Sequence, residues 1–376
     1  MRKQMKFLCM LAMMVSLCSI PLTGWAAESD GTNRYIITET LPEDIEEYAQ
    51  STFQSLNNND LKLLDLDVSP EKVKLSYGFK VDLIASQDYN KYYFPILENS
   101  QVIATLIVND IDGEMTYTLL RDDVTHSINN LHASQENPVK IVVSDTAVYA
   151  VDNATVNGLG EDFYATEASR QSDLEKIQVS AISNAEVNII SVDDDHTYDI
   201  SIGGDNARAI TGRSCDNFPY VNNKSVNGVG TCWASSTAAM IEYIKNGSSS
   251  TDSGASTIRD ELLKKQTEGG IDDAKTYISD YTGRSLTKTS SSLSWTTVKE
   301  QILSKDNPCY MRLHNSATGG YHATALIGYD YESSNDSNHR MYIMDPNVSS
   351  RVITSFGSTY ATSYGYTYSW IASLKK

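Results

Sequence analysis

Between Asn227 and Gly247 the sequence reads NGVGTCWASSTAAMIEYIKNG, and no other stretch constrains the fold as much. A glycine-broken approach gives way at Cys232 to a helical period. Trp233, Thr237, Met240, Ile241 and Ile244 share one face, and Asn246-Gly247 supplies the stop. A cysteine in the first turn meets backbone N–H groups that lack intrahelical partners, at the positive end of the helix dipole. That position favours the thiolate, the form that attacks carbonyl carbon. Buried cysteines also begin helices without doing chemistry, so Cys232 needs partners before it counts as a nucleophile.

The 376 residues leave room for two or three domains. Residues 1–27 read as a secretory signal peptide: Arg2, Lys3 and Lys6, an apolar run from Phe7 to Ile20, then the small-residue exit Gly24-Trp25-Ala26-Ala27. No later run has the length of a membrane span, so a secreted, extracellular protein is expected, with no membrane association once the signal is removed. The charge is split along the chain. Residues 214–376 hold 15 acids and 15 bases, so the whole formal charge of −18 lies in the first 213 residues. An acidic half before a neutral half suggests two units with different jobs, and the acidity argues against a nucleic-acid partner. Cys9 and Cys18 leave with the signal, and Cys215 and Cys309 are left as a pair that an oxidising compartment would allow to join. Their separation in space is not readable from spacing, so the pairing stays open. There are no paired metal-type cysteines, and the run Asp193-Asp194-Asp195 lacks the spacing of a calcium loop. Neither metal nor cofactor is expected.

Residues 28–170 read as a β-rich acidic domain of α+β type. A helix over Leu41–Asn57 precedes strands at 73–77, 79–84, 92–97, 102–108, 115–120 and 139–143, with hairpin turns at Glu98-Asn99-Ser100 and Asp112-Gly113. Residues 171–213 are polar and irregular, a linker with expected processing sites at Ala207-Arg208 and Gly212-Arg213. Residues 214–376 form the second domain. After the Cys232 helix come helical pieces at Thr257–Lys265, Asp272–Asp280 and Ser294–Leu303, the last capped by Ser294 and followed by Pro308. The period then changes to two at Cys309–Leu313, His322–Tyr329, Met341–Met344, Arg351–Phe356 and Tyr364–Ile371. Helices first and an antiparallel sheet behind is an α+β arrangement with the cysteine at the junction.

A thiol nucleophile needs a base. His322 follows Gly319-Gly320 directly into a buried-looking strand, where its ring would be held rigidly opposite a helix-start thiol. His314, at the end of the preceding strand, and His339, in a polar turn, read as ordinary surface or core histidines. An imidazole also needs an acceptor on its other nitrogen, to fix the tautomer and stabilise the cation. The next strand ends in Asp345-Pro346-Asn347 and can pair antiparallel with the histidine strand. Asp345 is preferred because it immediately follows the apolar run, and Asn347 stays as the alternative.

Taken together, Gly-Thr-Cys232-Trp-Ala-Ser, Gly-Tyr-His322-Ala-Thr-Ala-Leu-Ile-Gly-Tyr and Tyr-Ile-Met-Asp345-Pro resemble a papain-like cysteine peptidase. They are most similar to compact bacterial branches such as staphopains, streptopain and bacteriocin-leader peptidases. The resemblance covers roughly Cys215 to Lys376. It implies a two-lobed catalytic domain, with a helical lobe bearing the cysteine and an antiparallel β lobe bearing the histidine. It also implies that the N-terminal domain is a propeptide, an intramolecular inhibitor removed from a zymogen. The expected reaction is hydrolysis of peptide or protein substrates through a Cys-His-Asp thioester mechanism. Two departures stand out. His322 lies 90 residues after Cys232, closer than the roughly 130–150 of papain, which suits the compact branches. The family usually places an oxyanion-hole glutamine six residues before the cysteine, and here that residue is Val226; Asn227 is the nearest amide and the candidate substitute. A catalytically impaired binding scaffold, or an amide hydrolase with non-protein substrates, are the alternatives left open.

Overall fold

Hairpins dominate the N-terminal half, and their turns follow from the residues at the corners. The computed structural model describes residues 34–84, 89–152, 155–161, 166–180, 188–203, 210–226, 229–304, 306–315, 318–333, 336–348, 350–362, 364–365 and 367–376. The expected signal segment, Ala207-Arg208 and Asn227 lie outside the described residues. Helix α1 (Glu43–Gln54) buries Ile45, Ala49 and Phe53. Helix α2 (Asn58–Leu63) starts in a capping box, Asn57 accepting from the first turn while Asp60 accepts from the Asn57 N–H. Strands β1 (Asn90–Glu98), β2 (Gln101–Ile111) and β3 (Glu114–Leu120) form a meander. Its turns carry Asn99 and Ser100 at φ of 49° and 61°, then Asp112 and Gly113 at 54° and 81°. Two positive φ values in a row match the twist of the flanking strands, which is why Asn, Asp and Gly sit there. A separate sheet, of six strands among the described residues, joins Tyr35–Thr38, Val139–Val143 and Asn188–Ser191 with their neighbours.

From Ile210 the chain enters the second half as strand β4 (Ile210–Ser214). The expected boundary at 213–214 thus falls inside a strand, and Gly212-Arg213 pair with Asp330 and Tyr329. Helix α3 (Cys232–Asn246) begins and ends where the apolar period does, stopped by Gly247 at φ 55°. Every residue from Cys232 to Ile244 is buried, because α4 (Asp252–Lys265) and α5 (Ile271–Thr282) cover one side while the sheet covers the other. The expected helix over Ser294–Leu303 is capped by Ser294 but is α-helical only over Trp295–Lys299. It then widens into a π turn over Glu300–Ser304. There Gln301 bonds both the N–H and the carbonyl of Lys376, clamping the C-terminus.

Strands β5 (Cys309–His314), β6 (Tyr321–Glu332), β7 (Ser337–Met344), β8 (Arg351–Ser355), β9 (Thr359–Ala361) and β10 (Thr367–Lys375) complete the fold. The fold is α+β, with a helical lobe packed on an antiparallel β lobe. The antiparallel sheet continues beyond the second half: Ile353 and Thr354 of β8 pair with Leu119 and Thr118 of β3. Its central run is therefore β10-β5-β6-β7-β8-β3-β2-β1, in a sheet of thirteen strands among the described residues. A single apolar cluster extends from Ile36 through the Cys232 helix to Leu374.

Candidate active site

Each of the three expected groups sits at the end of a rigid element, where backbone geometry fixes it. Cys232 opens α3. The Thr231 hydroxyl does not cap the helix but donates to the Lys224 carbonyl at 2.8 Å, so the dipole of a fifteen-residue helix acts at the thiol. One turn on, Ser236 donates to the carbonyl of Ala323 at 2.9 Å. Ser236 lies on the same helix face as Cys232, so this bond fixes the helix start beside His322. His322 is the second residue of β6 and is 1 % exposed. Asp345 follows the end of β7, brought alongside by the register Ala325↔Met344.

The ring of His322 spans the other two groups. Nε2 lies 2.7 Å from Asp345 Oδ1. Nδ1 has no hydrogen-bond partner among the described residues, and the thiol of Cys232 interacts with the imidazole. Burial alone would disfavour the imidazolium. The charge and hydrogen bond of Asp345, helped by Cys232, outweigh it and hold His322 well above the ordinary histidine range. Burial likewise pushes Asp345 up, yet its bonds to His322, the Asn347 N–H and Tyr360 bring it below the usual carboxylate range. The arrangement favours an ion pair of imidazolium and carboxylate, with a thiol next to it at a helix N-terminus.

Asn347 lies at the same turn in a supporting place. Its N–H donates to Asp345 Oδ1 at 2.9 Å, and its side-chain oxygen accepts from Asn223 at 2.8 Å. His314 packs on Tyr321, and His339 stacks on Trp295 with ring centroids 4.0 Å apart while bonding Asp336.

Three side chains at the site carried no signal in the sequence reading. Asn223 accepts from the Thr231 N–H at 2.7 Å and donates its own N–H to the Pro346 carbonyl at 2.8 Å, so it ties the loop before Cys232 to the turn after Asp345. Tyr360 donates to Asp345 Oδ2 at 2.8 Å. Tyr368 packs against the His322 ring, with centroids 5.3 Å apart. Tyr360 and Tyr368 face each other across the β9–β10 hairpin, and nothing local in a tyrosine-rich tail distinguishes them.

Cys232 and His322 open onto a cleft of about 290 Å³ walled by Trp233, Gly269, Tyr310, Arg312 and Tyr321. Gly269 is required there: a Cβ would lie 2.6 Å from the Trp233 ring. Arg312 stacks on the half-exposed Tyr321 ring at 4.2 Å. A larger cavity of about 1140 Å³ opens elsewhere, beside Asn57, Lys62, Arg213 and Arg351, and none of the three groups lines it.

Residues 215–370 match the model of the Peptidase_C39 like family. The match spans the helical lobe, the histidine strand and the Asp345 turn, and it supports a cysteine peptidase family for this half of the chain. The α+β architecture is consistent with a papain-like peptidase fold. No curated protein matches the chain. Cys215, Cys232 and Cys309 are all buried thiols. Burial drives the Cys215 thiol far up, away from the reactive range, so it is inert as a nucleophile. Among the described residues no cluster of side chains is able to hold a metal ion.

Proposed function

We propose that the protein is an exported cysteine endopeptidase that hydrolyses peptide bonds through a Cys232 thioester. The observation that carries this reading is that Cys232 and His322, from a helix start and a strand start, line one cleft, with Asp345 buried behind the His322 ring. The Cys232 sulfur attacks the peptide carbonyl and forms the C–S bond. His322 gives its proton to the leaving nitrogen as the C–N bond breaks, then takes a proton from water as the hydroxide attacks the thioester carbon; the C–S bond breaks, releasing the acid product and returning the Cys232 thiolate beside the imidazolium. Asp345 holds the ring and stabilises its cation throughout. The Cys232 N–H at the helix start would be one oxyanion donor and Asn227 the second. Export rests on the signal-like segment at 1–27, and a zymogen on the acidic N-terminal half and the exposed Gly212-Arg213. Sequencing the N-terminus of the secreted protein tests both; a start near residue 28 in fully active material removes the zymogen.

The decisive experiment is hydrolysis of casein or a fluorogenic peptide by wild type and by Cys232→Ala. Wild type turns over and Cys232→Ala loses activity by a thousandfold or more, on the order expected for removal of a covalent nucleophile. Activity surviving in Cys232→Ala would sink the assignment. Val226, standing where the family's glutamine is expected, favours a second reading, a scaffold that binds without turning over. A thiol-directed activity probe that fails to label Cys232 would support that reading instead.

A further inference from the structure

The N-terminal half reaches the candidate site by a route that does not pass through the cleft. The described residues walling the cleft all fall between Gly230 and Ala323. The contact is made behind the site, at the β9–β10 hairpin whose two tyrosines touch Asp345 and His322. Lys91, on β1 and fully buried, donates to the carbonyl of Thr362 at 2.7 Å and also to that of Tyr364. Thr118, on β3, donates to the carbonyl of Ala361 at 2.9 Å. The carbonyl of Ser144 accepts from the N–H of Gly365 at 2.7 Å. Two strands and a loop of the first half thus hold the hairpin turn by its backbone. The gripped residues sit one to five positions beyond Tyr360 and three to seven before Tyr368.

We propose that the N-terminal half is a positioning element of the catalytic site, setting Tyr360 and Tyr368 against Asp345 and His322 by its grip on the β9–β10 turn. Burying an ammonium is costly unless its donors are used. A lysine in the middle of a hairpin strand, spending its hydrogen bonds on carbonyls 271 and 273 residues away, is hard to explain by folding of the first half alone. Tyr360 is the only side-chain hydroxyl bonded to Asp345 among the described contacts. A hairpin free to shift would let the carboxylate drift from the position that stabilises the imidazolium. Lys91 and Thr118 touch neither substrate nor reacting atoms, and act through Tyr360. The inference rests on the thiol-peptidase reading for its consequence in turnover, but not for its geometry, and it requires the first half to stay bound after any activating cut in the linker.

Lys91→Met and the isosteric Thr118→Val, made in the full chain, test it. Asp60→Asn, which alters another contact between the halves away from the hairpin, serves as the control. Two quantities are read: kcat and KM on a peptide substrate, and the pH dependence of Cys232 alkylation by iodoacetamide. In Lys91→Met, kcat falls tenfold or more with KM within twofold. The rise of alkylation rate moves to higher pH, because a less stabilised imidazolium gives the thiolate less support. Thr118→Val shifts both in the same direction by less, and Asp60→Asn shifts neither. If Lys91→Met does not fold, Thr118→Val decides. Folded Thr118→Val protein with wild-type kcat and alkylation profile overturns the proposal. The alkylation readout needs no turnover, so a protein that cleaves no peptide but shows the shift refutes the peptidase and leaves the positioning role intact.

Discussion

Two buried clusters of acid and base lie on the same sheet, and their charges balance differently. At the candidate site Asp345 faces one partner, His322, and receives two further donors, from the Asn347 N–H and Tyr360. Further along the same two strands, Asp330 of β6 and Asp60 of α2 share one guanidinium, Arg340 of β7, and one phenol, Tyr342 of β7. Both carboxylates there are buried. Asp345 stays ionised despite burial, whereas burial pushes Asp60 up to about 6, with Asp330 adding to the rise and Arg340 opposing it. Depth is the same in the two places, so it does not decide the outcome. A carboxylate with a counter-charge of its own keeps its charge, while two carboxylates on one cation hold a proton more readily. His322 of the first cluster borders the cleft that Cys232 lines, whereas the second cluster borders the larger cavity and joins the two halves through Asp60.

That contrast can be broken most forcefully at Asp345. Asp345→Ala removes the acceptor and lowers kcat on the order of a hundredfold or more. Asp345→Asn keeps an acceptor but removes the charge that holds His322 up, so the alkaline limb of the kcat/KM profile moves to lower pH. An unmoved limb would mean that Asp345 does not set the state of His322. At the second cluster, Arg340→Met leaves two buried acids without their cation and destabilises the fold by about 3–5 kcal/mol in urea unfolding. The turnover of each folded molecule, counted by active-site titration, stays at the wild-type level. The smallest effect belongs to Asp60→Asn. A raised carboxyl contributes stability that is fully present below its ordinary value of 3.8 and lost as the pH climbs through about 6. Wild-type Tm therefore declines across that window, and the decline flattens in Asp60→Asn. A parallel decline in the two proteins would show that the shared cation does not leave Asp60 proton-hungry.

The parts of this molecule readable from sequence are those with local periods. The Cys232 helix was legible from its first residue to its glycine stop, because the apolar face and the stop signals lie within twenty-one residues. The β1–β2 and β2–β3 hairpins were legible from Asn99-Ser100 and Asp112-Gly113, residues that accept positive φ. The histidine strand and the strand after it announced themselves by alternation and by Gly319-Gly320 and Asp345-Pro346. What stayed hidden was long-range. The pairing of Leu119 with Ile353 joins edges whose hydrogen bonds are made by backbone, and alternation says nothing of which edge meets which. Nothing local marks Lys91 or Asp60, because their partners stand more than 270 positions later. Tyr360 was one of 23 tyrosines, and its bond to Asp345 depends on a hairpin turn held from the other half.

Strand β4 bears on the proposed processing. It lies along β6 from Ile210↔Glu332 to Ser214↔Gly328, while the first half is stitched to the second at β3 and β8. A protease cutting just upstream of Ile210 would sever the polypeptide without separating its pieces. The freshly made amino terminus is already woven beside the histidine strand, and the severed portion keeps its own seam. Nicked and intact particles would migrate alike on a native gel and differ only once denatured, so scission and departure would be two events with separate rates.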